Sequence, residues 1–428
     1  MHQDSRIMSK LASWFEIEGG KSNRFASMEG LRGVAIFLVF FAHYYDIIWR
    51  DLPLHNKTLD TLGRAMLGAG GTGVDLFFVL SGFLIYGAVR KPTLNLRKFL
   101  VRRTVRIYPA FLAVFLMYLA MSPFLHLVHE SSDRYASRIH FGFLESALYV
   151  IANVAFIPGI FPVKPVMNVA WSLSYEWFFY LTLPLLILAL GLRRWTRGQR
   201  CSFFLGGAVL FLTANIIFPA KFYFPSNPGR ESHVEAVMFI GGILLFELIE
   251  AETMLRWNKT VVDVAAVVLG GGAVLAGAIS GIAKLRITAP DPQVAEIEAL
   301  LSASLFIGYS MLVLGALTPG TRISAILSRR PIRWLGNMSF SFYLVHGLPL
   351  HALGIAAAHL HVGSLTPPML WVVFAAAFPF VFLITAATSG VLFLAVEKRM
   401  SLAMPARKSV ATPDPAPHQT SAAAAPAL

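Results

Sequence analysis

The 428-residue sequence predicts an all-α, polytopic transmembrane helix bundle of about ten spans with both termini cytoplasmic. Composition, the length of the apolar runs and the asymmetry of charge carry that reading. The chain is 56% hydrophobic and only 14% charged, with a mean hydropathy of +0.64, whereas a soluble globular chain carries about 25% charged residues. It therefore lacks the polar surface that two or three soluble domains require. Apolar runs of about 18–20 residues, enough to cross a bilayer core, recur along most of its length.

The elements follow in chain order. Residues 1–23 form a polar, cytoplasmic N-terminal tail containing Glu16 and Glu18. No cleavable signal peptide is expected, because the first apolar stretch is long enough to remain as a helix. A membrane domain is expected over 24–401, with spans near 33–49, 72–89, 107–121, 171–191, 201–219, 234–250, 260–282, 299–317, 334–357 and 370–396. An eleventh apolar stretch, 143–161, carries Glu145, Asn153, Pro158 and Pro162. The charge asymmetry decides its fate. If it does not cross, 26 of the 36 Lys and Arg residues fall in inner segments, including Arg193, Arg194, Arg197 and Arg200 between two spans. If it crosses, that arginine-rich loop and every later loop invert, against the tendency of cytoplasmic loops to collect positive charge. Segment 143–161 is therefore expected to be re-entrant or interfacial. The Ala/Pro-rich tail over 402–428 cannot bury a core and is expected to be disordered.

The formal net charge of +13 belongs to that same bias, and nucleic acid is not an expected partner. The single Cys201 excludes an intrachain disulfide and any cysteine-built metal or iron–sulfur site. No P-loop, GxSxG, HExxH or CxxC pattern occurs in a supporting context. Neither a metal nor a permanently bound cofactor is expected.

Ionisable residues inside membrane helices are costly unless paired or hydrated, so each is a functional candidate. Arg32 and His43 are eleven residues apart in the first span, on one helical face and separated by a rise of about 16 Å. Asp46 follows His43 within a turn. Asp75 and Ser81 lie in the second span, and Trp171, Ser172, Ser174 and Glu176 open the fourth. Tyr343 and His346 lie in the ninth. Four helices thus put His43, Asp75, Glu176 and His346 at similar depth in the outer half, which suggests one hydrated cavity. A membrane histidine can equally serve only as a helix–helix hydrogen-bonding group. At the inner edge, Arg102, Arg103, Arg106 and Tyr108 join Arg32. These positives fit either anchoring to anionic headgroups or a phosphate-binding mouth for a nucleotide-like donor. Spacing leaves both open.

Five segments together resemble the acyltransferase 3 family of bacterial integral-membrane O-acyltransferases. They are the Arg-x10-His pair (Arg32, His43), Gly-Val-Asp-Leu-Phe-Phe-Val-Leu-Ser-Gly-Phe (73–83) and Arg-Arg-Thr-Val-Arg-Ile-Tyr-Pro (102–109). The others are Trp-Ser-Leu-Ser-Tyr-Glu-Trp-Phe-Phe-Tyr (171–180) and Ser-Phe-Ser-Phe-Tyr-Leu-Val-His (339–346). The chain departs from the family pattern at Glu29, usually Asp, and at Val345, usually Trp. Glu397 leads into Lys-Arg-Met instead of a nearby proline, which puts any role for it in question.

The resemblance implies a location in the bacterial cytoplasmic (inner) membrane and a cytoplasmic acyl-CoA donor, acetyl-CoA in the first instance. The acceptor is expected to be a hydroxyl of a glycan, a lipid-linked sugar or a small molecule. It also implies that His43 is catalytic with Arg32 essential beside it. A neutral imidazole suits removal of an alcohol proton because its ordinary pKa is about 6.5. His43 is expected to act as general base or acyl relay, with Glu176 or Asp46 orienting the ring or stabilising its charged form. Arg32, Arg102, Arg103, Arg106 and Tyr108 are expected to bind the donor. Asp75, Ser81, Trp171, Ser172, Ser174, Tyr343 and His346 are expected to line the acceptor site. No fused hydrolase domain is expected, and the chain is expected to finish transfer itself or pass the acyl group on. The rival reading is a proton-coupled carrier or flippase for a glycolipid or small metabolite, which would also use buried ionisable groups.

Overall fold

Helices make up every extended element in the computed structural model, which describes residues 10–17, 23–51, 57–128, 142–161, 163, 165–217, 237–251, 257–284, 292–360, 362 and 365–401. In order these are α1 (Asn23–Asp51), α2 (Lys57–Gly71), α3 (Gly73–Val89), α4 (Leu96–Val128), α5 (Phe143–Val154), α6 (Ala170–Ala189), α7 (Arg197–Ile217) and α8 (Val237–Glu250). There follow α9 (Lys259–Ala283), α10 (Pro292–Leu317), α11 (Arg322–Leu327), α12 (Arg330–Asn337), α13 (Ser339–Val345), α14 (Gly347–His359) and α15 (Pro367–Leu392). α15 continues as a wider π-helix over Phe393–Ser401. The tail expected after 402 lies outside the described residues.

Eight helical runs among the described residues are long and apolar enough to cross a membrane: Ala26–Asp46, Asp60–Val89, Leu96–Met121, Ala170–Ala189, Lys259–Ala283, Glu296–Leu317, Ser339–Ala357 and Pro368–Met400. The other two expected spans fall on α7 and α8. Several boundaries differ from the sequence reading. The expected span at 107–121 begins a full three turns earlier, at Leu96, because the arginines of that stretch stay helical and extend their charged heads from apolar stems. The expected span at 334–357 is three helices, α12, α13 and α14. The second and third meet at His346, whose ring binds the carbonyls of Tyr343 and Phe342. α5, at about 18 Å, is shorter than the roughly 30 Å hydrocarbon core, and it exposes Phe143, Leu144, Leu148 and Ile151.

α1 is the hub, packing against α2, α3 and each helix from α10 to α15. Its crossing with α12 is close enough that a Cβ on Gly336 would collide with the Glu29 carbonyl. Arg333 of α12 then reaches Glu29 at 2.7 Å across that crossing. The crossing of α3 and α8 is equally tight, since a Cβ on Gly82 would strike the Phe239 carbonyl. Such contacts stand in for a hydrophobic drive that lipid does not supply between helices. On the outer surface α9 and α15 expose Val264, Val267, Ile279, Phe380 and Leu383.

One end of the bundle is tied by a buried carboxylate. Glu247 of α8 is fully buried. Arg200 of α7 forks onto it, Nε to Oε1 at 2.7 Å and Nη2 to Oε2 at 2.9 Å. Tyr86 of α3 also donates to Oε1, and Arg90 Nε lies at 3.6 Å. Three helices are joined by this one group. Removing it leaves a buried guanidinium without its counter-charge, so Glu247→Ala is expected to destabilise the fold by about 3–5 kcal/mol. Unfolding of the detergent-solubilised protein measures this; a loss under about 1 kcal/mol would place the cluster among weak surface pairs instead.

Candidate active site

A cavity of ≈130 Å³ opens between α1, α3, α4, α6 and α13. Three arginines line it: Arg32 from α1, and Arg103 and Arg106 from α4. Positions 103 and 106 are one turn apart, so a single helix face delivers both. Glu176 and Tyr180 enter from α6, Ser81 from α3, and Ser172 with Tyr343 close one side. Phe77, Phe78, Leu84 and Ile85 supply apolar wall.

Each charge is held. The Arg32 Nε donates to Ser339 Oγ at 3.2 Å, and Arg106, Glu397, Glu176 and Tyr180 all lie within its electrostatic reach. The Arg103 guanidinium stacks over the rings of Tyr180, at 5.1 Å, and Phe99, at 5.3 Å. Its charge therefore meets two aromatic faces. Glu176 Oε1 accepts from Ser81 Oγ at 3.1 Å and from the Tyr180 hydroxyl. Arg106 Nη2 sits 3.1 Å from Glu397 Oε1.

A pair of hydroxyls borders this cavity on the side of the histidines. Tyr343 Oη is 2.7 Å from the Val169 carbonyl and 2.7 Å from Ser172 Oγ. A carbonyl only accepts, so the single phenolic proton goes to Val169 and Ser172 donates to Tyr343. The Tyr343 ring lies 5.8 Å from that of His346, and His346 lies 4.9 Å from His43 at a steep interplanar angle of 77°. His43 Nδ1 is 2.9 Å from the Val39 carbonyl. His346 Nδ1 is 2.7 Å from the Tyr343 carbonyl. Both Nδ1 atoms therefore carry the hydrogen in the neutral rings, and both Nε2 atoms carry the basic lone pair. The backbone of α1 thus orients the His43 ring at Nδ1.

Of the expected site residues, Arg32, Ser81, Arg103, Arg106, Ser172, Glu176 and Tyr343 meet at the cavity, and His43 and His346 form the neighbouring pair. The remaining expected residues do not line that cavity. Arg102 is exposed. Tyr108 donates to the Val154 carbonyl at 3.0 Å and packs on Phe156 and Trp177, anchoring the end of α5. Ser174 is buried and bonded within its own helix to Ala170. Trp171 packs edge-on against Phe78. Asp75 is buried in the first turn of α3, where a carboxylate complements the helix dipole. Asp46 is half-buried one turn beyond His43. Sequence reasoning did not place Tyr180 or Ser339 among the site residues and put any role for Glu397 in question. The first two stand at four-residue spacing from Glu176 and Tyr343, a signal that was available.

The fold and this buried polar centre define a multi-pass membrane protein built around a charged, hydroxyl-rich cavity. The chain belongs to the acyltransferase 3 family, whose model, described as an acyltransferase domain, matches residues 25–389. It is 26% identical over 341 residues to the peptidoglycan O-acetyltransferase OatA of Listeria monocytogenes serovar 1/2a, covering 75% of this chain and 48% of that protein. It is 27% identical over 331 residues to the acyltransferase MdmB of Streptomyces mycarofaciens, covering 76% and 78% of the two chains. With the O-acetyltransferase OatA of Staphylococcus aureus it shares 25% identity over 338 residues, 74% of this chain and 49% of the other. The chain thus spans about half the length of the OatA relatives. No solved structure matches it.

The bond order at Tyr343 has a measurable consequence. Tyr343→Phe strips the Val169 carbonyl and the Ser172 hydroxyl of their partner together and is expected to cost about 1–3 kcal/mol in stability. Ser172→Ala breaks one of the two bonds and is expected to cost about 1 kcal/mol or less. Equal losses in chemical unfolding would sink the two-bond assignment.

Proposed function

We propose that the protein is an O-acyltransferase of the bacterial inner membrane that moves an acyl group, acetyl in the first instance, from cytoplasmic acyl-CoA to a hydroxyl of a glycan or lipid-linked sugar. The observation that carries this reading is the cavity that gathers Arg32, Arg103 and Arg106 beside Tyr343, whose ring packs on His346, which in turn packs on His43. Membership of an acyltransferase family and similarity to named O-acetyltransferases support the reaction class.

The membrane topology proposed is ten crossings with both termini cytoplasmic, α5 lying at the outer interface on its exposed apolar face. The three arginines then face the inner side, where guanidinium forks match the phosphates of a CoA donor. Arg102, exposed on the same helix, adds positive charge near the mouth. The eleven-residue rise from Arg32 to His43, about 16 Å, is the distance the extended thioester arm must span.

At the far end His43 Nε2 takes the proton of the acceptor hydroxyl. The oxygen attacks the thioester carbonyl, the carbon–sulfur bond breaks, and the departing thiolate recovers the proton from His43. Ester and free thiol are the products. Glu176, held by Ser81 and Tyr180, balances the positive charge of the cavity while the imidazolium exists. The acyl arm and the acceptor meet along the hydroxyl face formed by Ser172 and Tyr343.

Alkali-labile ester on the surface glycans of the host tests this directly, in wild type, a deletion strain and a strain carrying His43→Ala. Loss of ester in both mutants is the expected result, and the mass of the released acid identifies the acyl group. Ester unchanged in the deletion would remove surface glycan as acceptor. Ester lost in the deletion but restored by His43→Ala would remove His43 from the chemistry.

A further inference from the structure

One charged group behind the cavity wall has no part in the proposed reaction. Glu397 is fully buried on the π-helix that ends α15. Its Oε2 accepts from Ser341 Oγ at 2.6 Å and from the Ser341 backbone N–H at 3.2 Å. Its Oε1 faces Arg106 Nη2 at 3.1 Å, and the Arg106 side chain, 20% exposed, lines the cavity.

Each cavity arginine therefore has its own holder. Ser339 takes Arg32, the rings of Phe99 and Tyr180 take Arg103, and Glu397 takes Arg106. Arg106 is the one of the three in direct ion-pair contact with a carboxylate, while Glu397 and Glu176 act on Arg32 through the field alone. Glu176 already accepts from Ser81 and Tyr180. An arginine side chain carries about 2 kcal/mol of rotamer entropy, and three guanidiniums sharing one cavity repel one another. A fixed counter-charge is what keeps the third from swinging out. The wider turn of a π-helix, a geometry that recurs at functional sites, carries that counter-charge here.

We propose that Glu397 is a positioning residue: clamped by Ser341, it holds Arg106 against the cavity so that a phosphate-bearing acyl donor meets a pre-oriented guanidinium. The inference rests on the cavity being the donor site. Glu397 acts on donor binding and takes no proton in the transfer.

The test is acetyl-CoA affinity and turnover of the full chain, purified in detergent. Glu397→Gln keeps an oxygen to accept from Ser341 and loses the ion pair. It is expected to raise KM for acetyl-CoA about tenfold with kcat changed less than about threefold, the split expected for lost donor binding. Arg106→Lys keeps the charge and loses the fork. Adding Glu397→Gln to it is expected to raise KM by less than about twofold further, because the two act as one unit. A wild-type KM in Glu397→Gln overturns the assignment, as does the same rise on both backgrounds. If Glu397→Gln does not fold, Ser341→Ala loosens the clamp and keeps the ion pair. A KM rise of about threefold then supports the assignment and an unchanged KM overturns it. Wild-type protein that binds no acetyl-CoA fails the donor reading itself, and the positioning role falls with it.

Discussion

Three guanidinium groups enclosed in an apolar bundle are the constraint that the rest of the structure answers to. Removing an ion from water costs several kcal/mol or more even after relaxation, so Arg32, Arg103 and Arg106 can be inside only if partners arrive with them. Those partners come from five different segments: α3 and α6 through Ser81, Glu176 and Tyr180, α4 itself through Phe99, α13 through Ser339 and Ser341, and the terminal π-helix through Glu397. Helix packing in a membrane has no hydrophobic term to specify register. Here the register is set where the charges must meet, and the close glycine crossings of α1 with α12 and of α3 with α8 let the backbones come near enough for it to happen.

The same logic divides the bundle into two polar centres with different properties. The Glu247 cluster is closed, with a carboxylate saturated by a bidentate arginine and a tyrosine. It ties helices together. The cavity cluster is open, since its arginines are held from one side and still line a volume of ≈130 Å³. Both are built from Arg, Glu and Tyr; what separates them is whether the donors of each guanidinium are used up. That difference is the physical reason to read one as architecture and the other as a site.

Much of this was legible in the sequence, for reasons that can be located. The apolar runs marked the long helices, and an eleven-residue spacing put Arg32 and His43 on one face. The segments holding Ser81, Arg103, Arg106, Glu176 and Tyr343 supplied the residues that gather at the cavity. Other features were out of reach. Glu397 was visible as a position of the family pattern but its contacts were not: it lies 56 residues from Ser341 and 291 from Arg106, and no local pattern says that a carboxylate after an apolar run turns inward. Glu247 stood inside an expected span and was hidden by its apolar neighbours, although an ionisable group at that place was itself the signal. The early start of α4 and the break at His346 were missed because hydropathy marks apolar length and says little about where backbone hydrogen bonding begins or turns. Tyr108 was read with the arginines beside it. Its ring lies instead against Phe156 and Trp177, partners 48 and 69 residues away in the chain.

The two histidines carry one more implication. Each places Nδ1 on a carbonyl of its own helix, one turn back, at Val39 and at Tyr343. The tautomer of both rings is thereby inherited from helical geometry. The walls near the pair can change without moving the nitrogen that carries the lone pair. A tautomer set by the main chain is kept by the helix itself.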